Sequence, residues 1–348
     1  MTRSLPHARI LGTGAYTPER VVTNVDLERL VDTSDAWIAE RTGIRARRVA
    51  REDETTSDMA AAASLRALEM AGITASQLSM IVVGTISGDT PMPACAVHVQ
   101  RKIAARNIPA FDISAACAGF LFGLSIADQY LRSGAMEYIL VVGVELLSRV
   151  LNWDDRTTCV LFGDGAGAAV IARRLSSEDD PKPRGILATR LYTDGNFSEA
   201  LTIPGGGSRE PLTPEGLKTA RNKVHMQGQE IFKVAVKNLT GATKAVLEET
   251  GLGPADIDWV VAHQANLRIL SQVSSRIDVP LERFVLNIEK YGNTSSASIP
   301  IALDEAVRDG RIKPGDTLAM CALGAGISWG GAVVRFLAWD RHRSREAR

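Results

Sequence analysis

"ALEMAGITASQLSMIVVGT" (67–85) and "VLEETGLGPADIDWVVAHQ" (246–264) read as one pattern written twice. Each begins on the end of a helix, stops at a glycine, crosses a short polar loop and enters a β-branched run. Gly72 and Gly251 stand where the residue after a helix adopts positive φ. Leu78 matches Ile257, and "MIVV" matches "WVVA". A second pair lies further along. "ADQYLRSG" ends at Gly134 before "YILVVGV", and "LDEAVRDG" ends at Gly310 before "TLAMCALG". Two segments repeating at nearly one offset predict a duplication. Helices alternating with buried β-branched strands predict an α/β protein with largely parallel sheets. The polar, proline-bearing run at 176–183, "SSEDDPKP", predicts the seam between halves 1–178 and 179–348.

Bulk properties exclude several classes. Among 348 residues, 40 Lys and Arg balance 40 Asp and Glu, so no global field steers nucleic acid or a membrane surface. The four cysteines, Cys95, Cys117, Cys159 and Cys321, are far apart and lack CxxC spacing. That pattern predicts neither a zinc site nor a disulfide framework. No signal-like segment opens the chain and no run reaches a membrane span, so a cytoplasmic protein is expected. The basic tail, 341–348, reads as a solvated end.

Cys117 lies in "AACAGFLFGL", between a short strand, "NIPAFDIS", and an apolar helix. A thiol at a helix mouth has its pKa lowered by free N–H groups, and small neighbours leave room for an acyl group. The plain alternative is a small buried hydrophobe, and this stretch alone does not separate the two. Two further stretches favour the nucleophile. His263, one of five histidines, ends a strongly apolar strand, where ligands of α/β sheets bind. Asn293 follows Gly292 in a loop of small hydroxyl residues. Counting seventeen back from Gly134 and Gly310 reaches Cys117 and Asn293, which predicts that the two meet in the cleft between halves.

The chain resembles the thiolase-fold condensing enzymes, specifically the beta-ketoacyl-acyl-carrier-protein synthase III family. "LGTGAYTPERVVTN", "ISAACAGF", "FGDGAGAAV", "AHQANLRI", "YGNTSSASIP" and "GAGISWGGAVVRF" carry the resemblance, which spans nearly the whole sequence. It implies a layered αβαβα fold of two similar halves. It implies Cys117 as nucleophile, with His263 and Asn293 completing a triad. Cys117 would be acylated by acyl-CoA, and malonyl on an acyl-carrier protein would then lose CO2 and attack the acyl group. The Cys117 and Ala325 amides would bind the oxyanion. Trp37, Arg41 and Arg156 would hold the CoA adenine, and Asn266 the pantetheine. Met92, Phe162, Met226 and Leu323 would wall the acyl group, with Met92 reaching a partner's pocket in a homodimer. Lys233, Arg268 and Arg276 would dock the acidic carrier. No cofactor or metal is implied. Ser275 stands where a second basic residue is common, and Leu323 replaces a frequent aromatic.

Some features compete with this reading. "GDGAGA" (163–168) matches a dinucleotide fingerprint, but a strand pattern follows it, so a glycine turn between two strands is expected. Cys321 lies two positions early for a thiolase's second cysteine and reads as strand packing. Glu145 follows a different strand from the one a general-acid glutamate would need, and reads as structural. A related specialised enzyme, condensing or transferring unusual acyl chains in polyketide or other secondary metabolism, remains the alternative.

Overall fold

A computed structural model describes residues 7–174 and 185–337. The expected seam at 178/179 and the basic tail lie outside the described residues. The duplicated pattern folds as read. Helix Thr56–Ala71 ends at Gly72 with φ 68°, a 3-10 turn follows at Ala75–Gln77, and the strand is Met80–Gly84. Helix Gly228–Thr250 ends at Gly251 with φ 66°, the turn is Pro254–Asp256, and the strand is Trp259–Ala262.

Two sheets repeat one order. The first runs His7–Tyr16, Gly165–Arg174, Tyr138–Glu145, Met80–Gly84, Ala110–Ile113. The second runs Gly185–Thr193, Ser328–Arg335, Thr317–Gly324, Trp259–Ala262, and Phe284 bridges Val260 in parallel where a fifth strand would lie. The sheets are mixed rather than largely parallel. Met80–Gly84 pairs in parallel with both neighbours, but the two strands on the far side of Tyr138–Glu145 are antiparallel. Chain economy explains this in the second sheet. Three residues join Gly324 to Ser328, too few for a parallel crossover. The strand before Cys117, Ala110–Ile113, is half-buried along its length because it is the sheet edge.

Helices Gly119–Arg132 and Ser298–Arg308 lie between the sheets and pack on both. One continuous core joins them, holding Phe120, Leu124 and Leu303 of the helices together with Val82 and Val141 of the first sheet and Met320 and Val334 of the second. Each such aliphatic side chain contributes about 1.5–3 kcal/mol by burial. Outer helices cover the remaining faces, Thr56–Ala71 on the first sheet and Gly228–Thr250 with Leu267–Ile277 on the second.

The "GDGAGA" glycines serve this packing. A Cβ on Gly163 would lie 2.5 Å from the Tyr291 carbonyl oxygen, and one on Gly167 would lie 2.7 Å from the Pro300 Cβ. They let the Asn293 loop and the central helix close onto the first sheet. The segment before Gly163 is a turn, not a strand, touching Asn293 through one bridge at Phe162.

Candidate active site

Cys117 lies in a single 3-10 turn, Ala116–Ala118, before helix Gly119–Arg132. Ala116 takes φ 44°, which turns the chain sharply from strand to helix. The second half repeats this knuckle at Ser295–Ala297, with Ser295 at φ 50°. Ser296, not Asn293, is therefore the positional counterpart of Cys117. Counting from the terminal glycines misled because the first central helix has 14 residues and the second 11. Asn293 lies just ahead of its knuckle, and both still border one cavity.

Burial governs the thiol. Cys117 is 7% exposed, and desolvation pushes it up to about 12, opposed by the Ser295 hydroxyl and its own backbone N–H. The expected lowering at a helix mouth is outweighed. The chain approaches Cys117 closely from the second half: a Cβ on Gly324 would lie 2.6 Å from the Cys117 nitrogen and 2.7 Å from the Ala115 carbonyl oxygen. Only glycine fits there, and the next residue, Ala325, reaches the cavity wall beside Cys117.

His263 follows its strand directly, its N–H donating to the Cys321 carbonyl at 2.8 Å. Nδ1 lies 2.6 Å from Ser298 Oγ. That oxygen also accepts the Gln264 N–H at 3.3 Å; with the Ser298 proton given to Nδ1, the imidazole carries its hydrogen on Nε2. Burial lowers His263 to about 3, so the ring is neutral. Asn293 is oriented with equal definition. Its Oδ1 accepts the Ser295 N–H at 2.8 Å, which leaves the side-chain NH2 unengaged. Its main chain is pinned to Leu161 and Gly163. Gln264 fixes the intervening loop, donating to the Ala262 and Val285 carbonyls and accepting from the Asn287 and Ile288 N–H groups.

Two cavities meet at Cys117. The smaller, about 150 Å³, is lined by His263, Asn293, Asn266, Met226 and Leu323. The larger, about 470 Å³, is lined by Ala325, Ser295 and an apolar set that includes Ile86, Leu147, Ile203 and Val224. Phe162 borders both. Of the four residues expected around an acyl group, Phe162 alone reaches the larger space. Met226 and Leu323 line the smaller, and Met92 is 85% exposed and lines neither. Ser295, Ser298, Gln264 and the apolar lining were missed in the sequence. The hydroxyl-rich "NTSSAS" run signalled the serines only collectively.

At the outer rim, the Arg41 and Arg156 guanidinium carbons lie 4.7 and 5.3 Å from the Trp37 ring centroid. Asn266 caps helix Leu267–Ile277 and donates to the Arg41 carbonyl at 3.1 Å, tying this cluster to the smaller cavity. Lys233, Arg268, Ser275 and Arg276 are exposed on the two outer helices of the second half. Cys321 is buried in its strand and raised to about 11 by desolvation. Among the described residues no helix is long and apolar enough to cross a membrane.

Comparison with known proteins agrees with this geometry. The family described as 3-oxoacyl-[acyl-carrier-protein] synthase III matches residues 111–195, and its C-terminal counterpart matches 247–336. The beta-ketoacyl-[acyl-carrier-protein] synthase III of Caldanaerobacter subterraneus subsp. tengcongensis is 48% identical over 329 residues, 94% of this chain and 98% of that protein. The crystal structure of the Aquifex aeolicus VF5 3-oxoacyl-[acyl-carrier-protein] synthase III superposes with a TM-score of 0.85 at 43% identity, covering 94% of this chain and 100% of that one. A priming beta-ketosynthase from the R1128 polyketide biosynthetic pathway superposes at 0.88 with 35% identity, covering 98% and 99%. Likeness of this degree over nearly the full length shows the family: the chain belongs to the beta-ketoacyl-acyl-carrier-protein synthase III enzymes, condensing acyltransferases of the thiolase fold.

Proposed function

We propose that the protein joins an acyl-CoA primer to malonyl-acyl-carrier protein by decarboxylative Claisen condensation, the initiating step of fatty acid synthesis. The observation that carries this is the pair of unspent donors, His263 Nε2–H and the Asn293 NH2, bordering one cavity with the Cys117 thiol. The Cys117 sulfur attacks the primer thioester, CoA leaves as the thiol, and an acyl-enzyme remains. The Cys117 and Ala325 amides stabilise the tetrahedral oxyanion. Malonyl thioester then occupies the smaller cavity. Its carboxylate departs as CO2, and the electron pair stays as an enolate whose oxygen accepts from His263 and Asn293. The enolate carbon attacks the acyl thioester, the acyl C–S bond breaks to return the Cys117 thiolate, and the beta-ketoacyl product stays on the carrier. A neutral imidazole suits a donor that must not hand over its proton.

Trp37, Arg41 and Arg156 hold the adenine of CoA, and Asn266 guides its pantetheine arm. Lys233, Arg268 and Arg276 receive the acidic carrier, less strongly for having Ser275 among them. The larger cavity takes the primer's acyl chain, and the exposed Met92 completes it in a partner subunit of a homodimer. Substrates alone suffice, with no metal or cofactor, in a cytoplasmic enzyme. A second reading, priming of a specialised polyketide pathway, is supported by the 470 Å³ cavity and by the likeness to the R1128 ketosynthase.

Intact mass after incubation with short linear, branched and long acyl-CoAs tests both readings. A gain of one acyl group from short chains supports fatty acid initiation, gain only from long or unusual chains supports the second reading, and no gain from any donor overturns both. Trp37→Ala is expected to raise the KM for acyl-CoA about tenfold or more, since base–aromatic stacking is worth about 1–3 kcal/mol. The KM for malonyl-acyl-carrier protein is expected to stay within twofold in the same steady-state assay.

A further inference from the structure

Cys117 must shed a proton before its sulfur attacks, and the cavities offer no ready base. Among the residues lining them, His263 is the only other titratable side chain. Its Nδ1 is engaged by Ser298, and its Nε2 already carries hydrogen. Behind the cavity wall lies a carboxyl group that the mechanism above leaves unused. Glu145, the last residue of strand Tyr138–Glu145, is 0% exposed. Oε2 is fully engaged, accepting from the Thr85 hydroxyl at 3.2 Å, the Ile86 N–H at 3.1 Å and the Ser87 hydroxyl. Oε1 is less occupied. The Ser295 hydroxyl reaches it at 3.2 Å. Ser296 Oγ lies at 3.4 Å but has a nearer acceptor, the Gly84 carbonyl at 2.7 Å. Ser295 in turn lines the larger cavity with Cys117, and its knuckle packs against the Cys117 knuckle.

We propose that Glu145 is the proton acceptor for Cys117, reached through the Ser295 hydroxyl. The inference rests on Cys117 being the nucleophile. The thiol S–H passes its proton to Ser295 Oγ while the Ser295 O–H passes its own to Glu145 Oε1. The product is a thiolate that accepts from the renewed Ser295 hydroxyl, beside a neutral carboxylic acid. When sulfur bonds to the primer carbonyl and the C–S bond to CoA breaks, the departing thiolate takes up one proton and Glu145 is left ionised again. Glu145 and Ser295 touch no substrate carbon, so they are positioning and relay residues.

The environment suits the task. Desolvation raises Glu145 to about 7 against four opposing donors, which puts a carboxylate able to accept a proton at neutral pH. The other titratable groups acting on it are the Cys117 and Cys95 thiols, both driven upward by burial and neutral near pH 7. Asp89 and Asp112 act on Cys95. The backbone knuckle holds a serine at this point: Ser295, at φ 50°, gives its hydroxyl to Glu145 in the first half.

Iodoacetamide alkylation of Cys117, followed by intact mass from pH 5.5 to 9.5, tests the relay. In the unaltered protein the rate is expected to rise about tenfold per pH unit up to an inflection near 7. Glu145→Gln is expected to lose that inflection and to react at least about tenfold more slowly at pH 7.5. Ser295→Gly removes the hydroxyl at a φ that glycine adopts freely, so it stands as the second variant should Glu145→Gln fail to fold, and the same loss is expected. Purely structural damage lowers the rate at every pH and leaves the inflection in place. A folded variant that keeps the inflection, at whatever rate, overturns the proposal. The readout needs no acyl substrate, so its failure is separable from failure of the condensing function.

Discussion

Cys117→Ala is expected to abolish acylation by every acyl-CoA and to lower condensation at least about 10⁴-fold, the scale of losing a covalent nucleophile. The substitution removes one sulfur from a 7% exposed position, so stability should change by only about 1 kcal/mol. Selectivity makes the result informative. His263 and Asn293 owe their orientation to Ser298 and the Ser295 N–H, not to Cys117. Malonyl decarboxylation is therefore expected to persist within about tenfold, measured as CO2 release from malonyl-acyl-carrier protein. Acyl label on a peptide other than that of Cys117, or condensation retained in the variant, would sink the covalent mechanism.

Asn293→Asp is expected to do the reverse. The retained carboxylate oxygen still accepts the Ser295 N–H as Asn293 Oδ1 does at 2.8 Å, so the loop keeps its shape. The other oxygen replaces an NH2 donor and presents negative charge to a forming enolate. Losing one such donor costs about 10²–10³-fold, and repulsion adds to it, so condensation should fall about 10³-fold or more. In the proposed mechanism acylation draws on the Cys117 and Ala325 amides instead, so it should stay within about threefold in single-turnover mass measurements. Condensation within tenfold of the original would remove Asn293 from the enolate site.

The parts of the fold legible in sequence were those set by local chemistry. Gly72 and Gly251 end their helices because each takes positive φ, and the β-branched runs after them can only be buried strands. Cys117, His263 and Asn293 were legible because each sits beside a strand or helix end with a distinctive composition. The pairing sense of the strands was not legible, since alternation is the same for a parallel and an antiparallel neighbour, and only the three-residue link after Gly324 betrays one of them. The state of the thiol was misread for a related reason. A helix mouth is visible in sequence, but the burial that pushes Cys117 up to about 12 is tertiary, part of it from the second half of the chain, where Gly324 packs on the Cys117 backbone. Tertiary convergence also hid Glu145, whose partners Thr85, Ser87 and Ser295 come from separate segments. The apolar wall of the larger cavity, Ile86 to Val224, carries no local signature.

The shared central core has a consequence for how the molecule comes apart. Helices Gly119–Arg132 and Ser298–Arg308 bury their side chains against both sheets at once, so 7–174 and 185–337 share one central interior in addition to the outer layer each packs for itself. Melting either part strips the other of its packing surface. Heat or denaturant should therefore meet one cooperative transition, with no partly folded species in which a single half survives. Cys117 lies on one side of that divide and His263 and Asn293 on the other, so under the proposed mechanism enzymatic activity and global structure are expected to be lost at the same temperature.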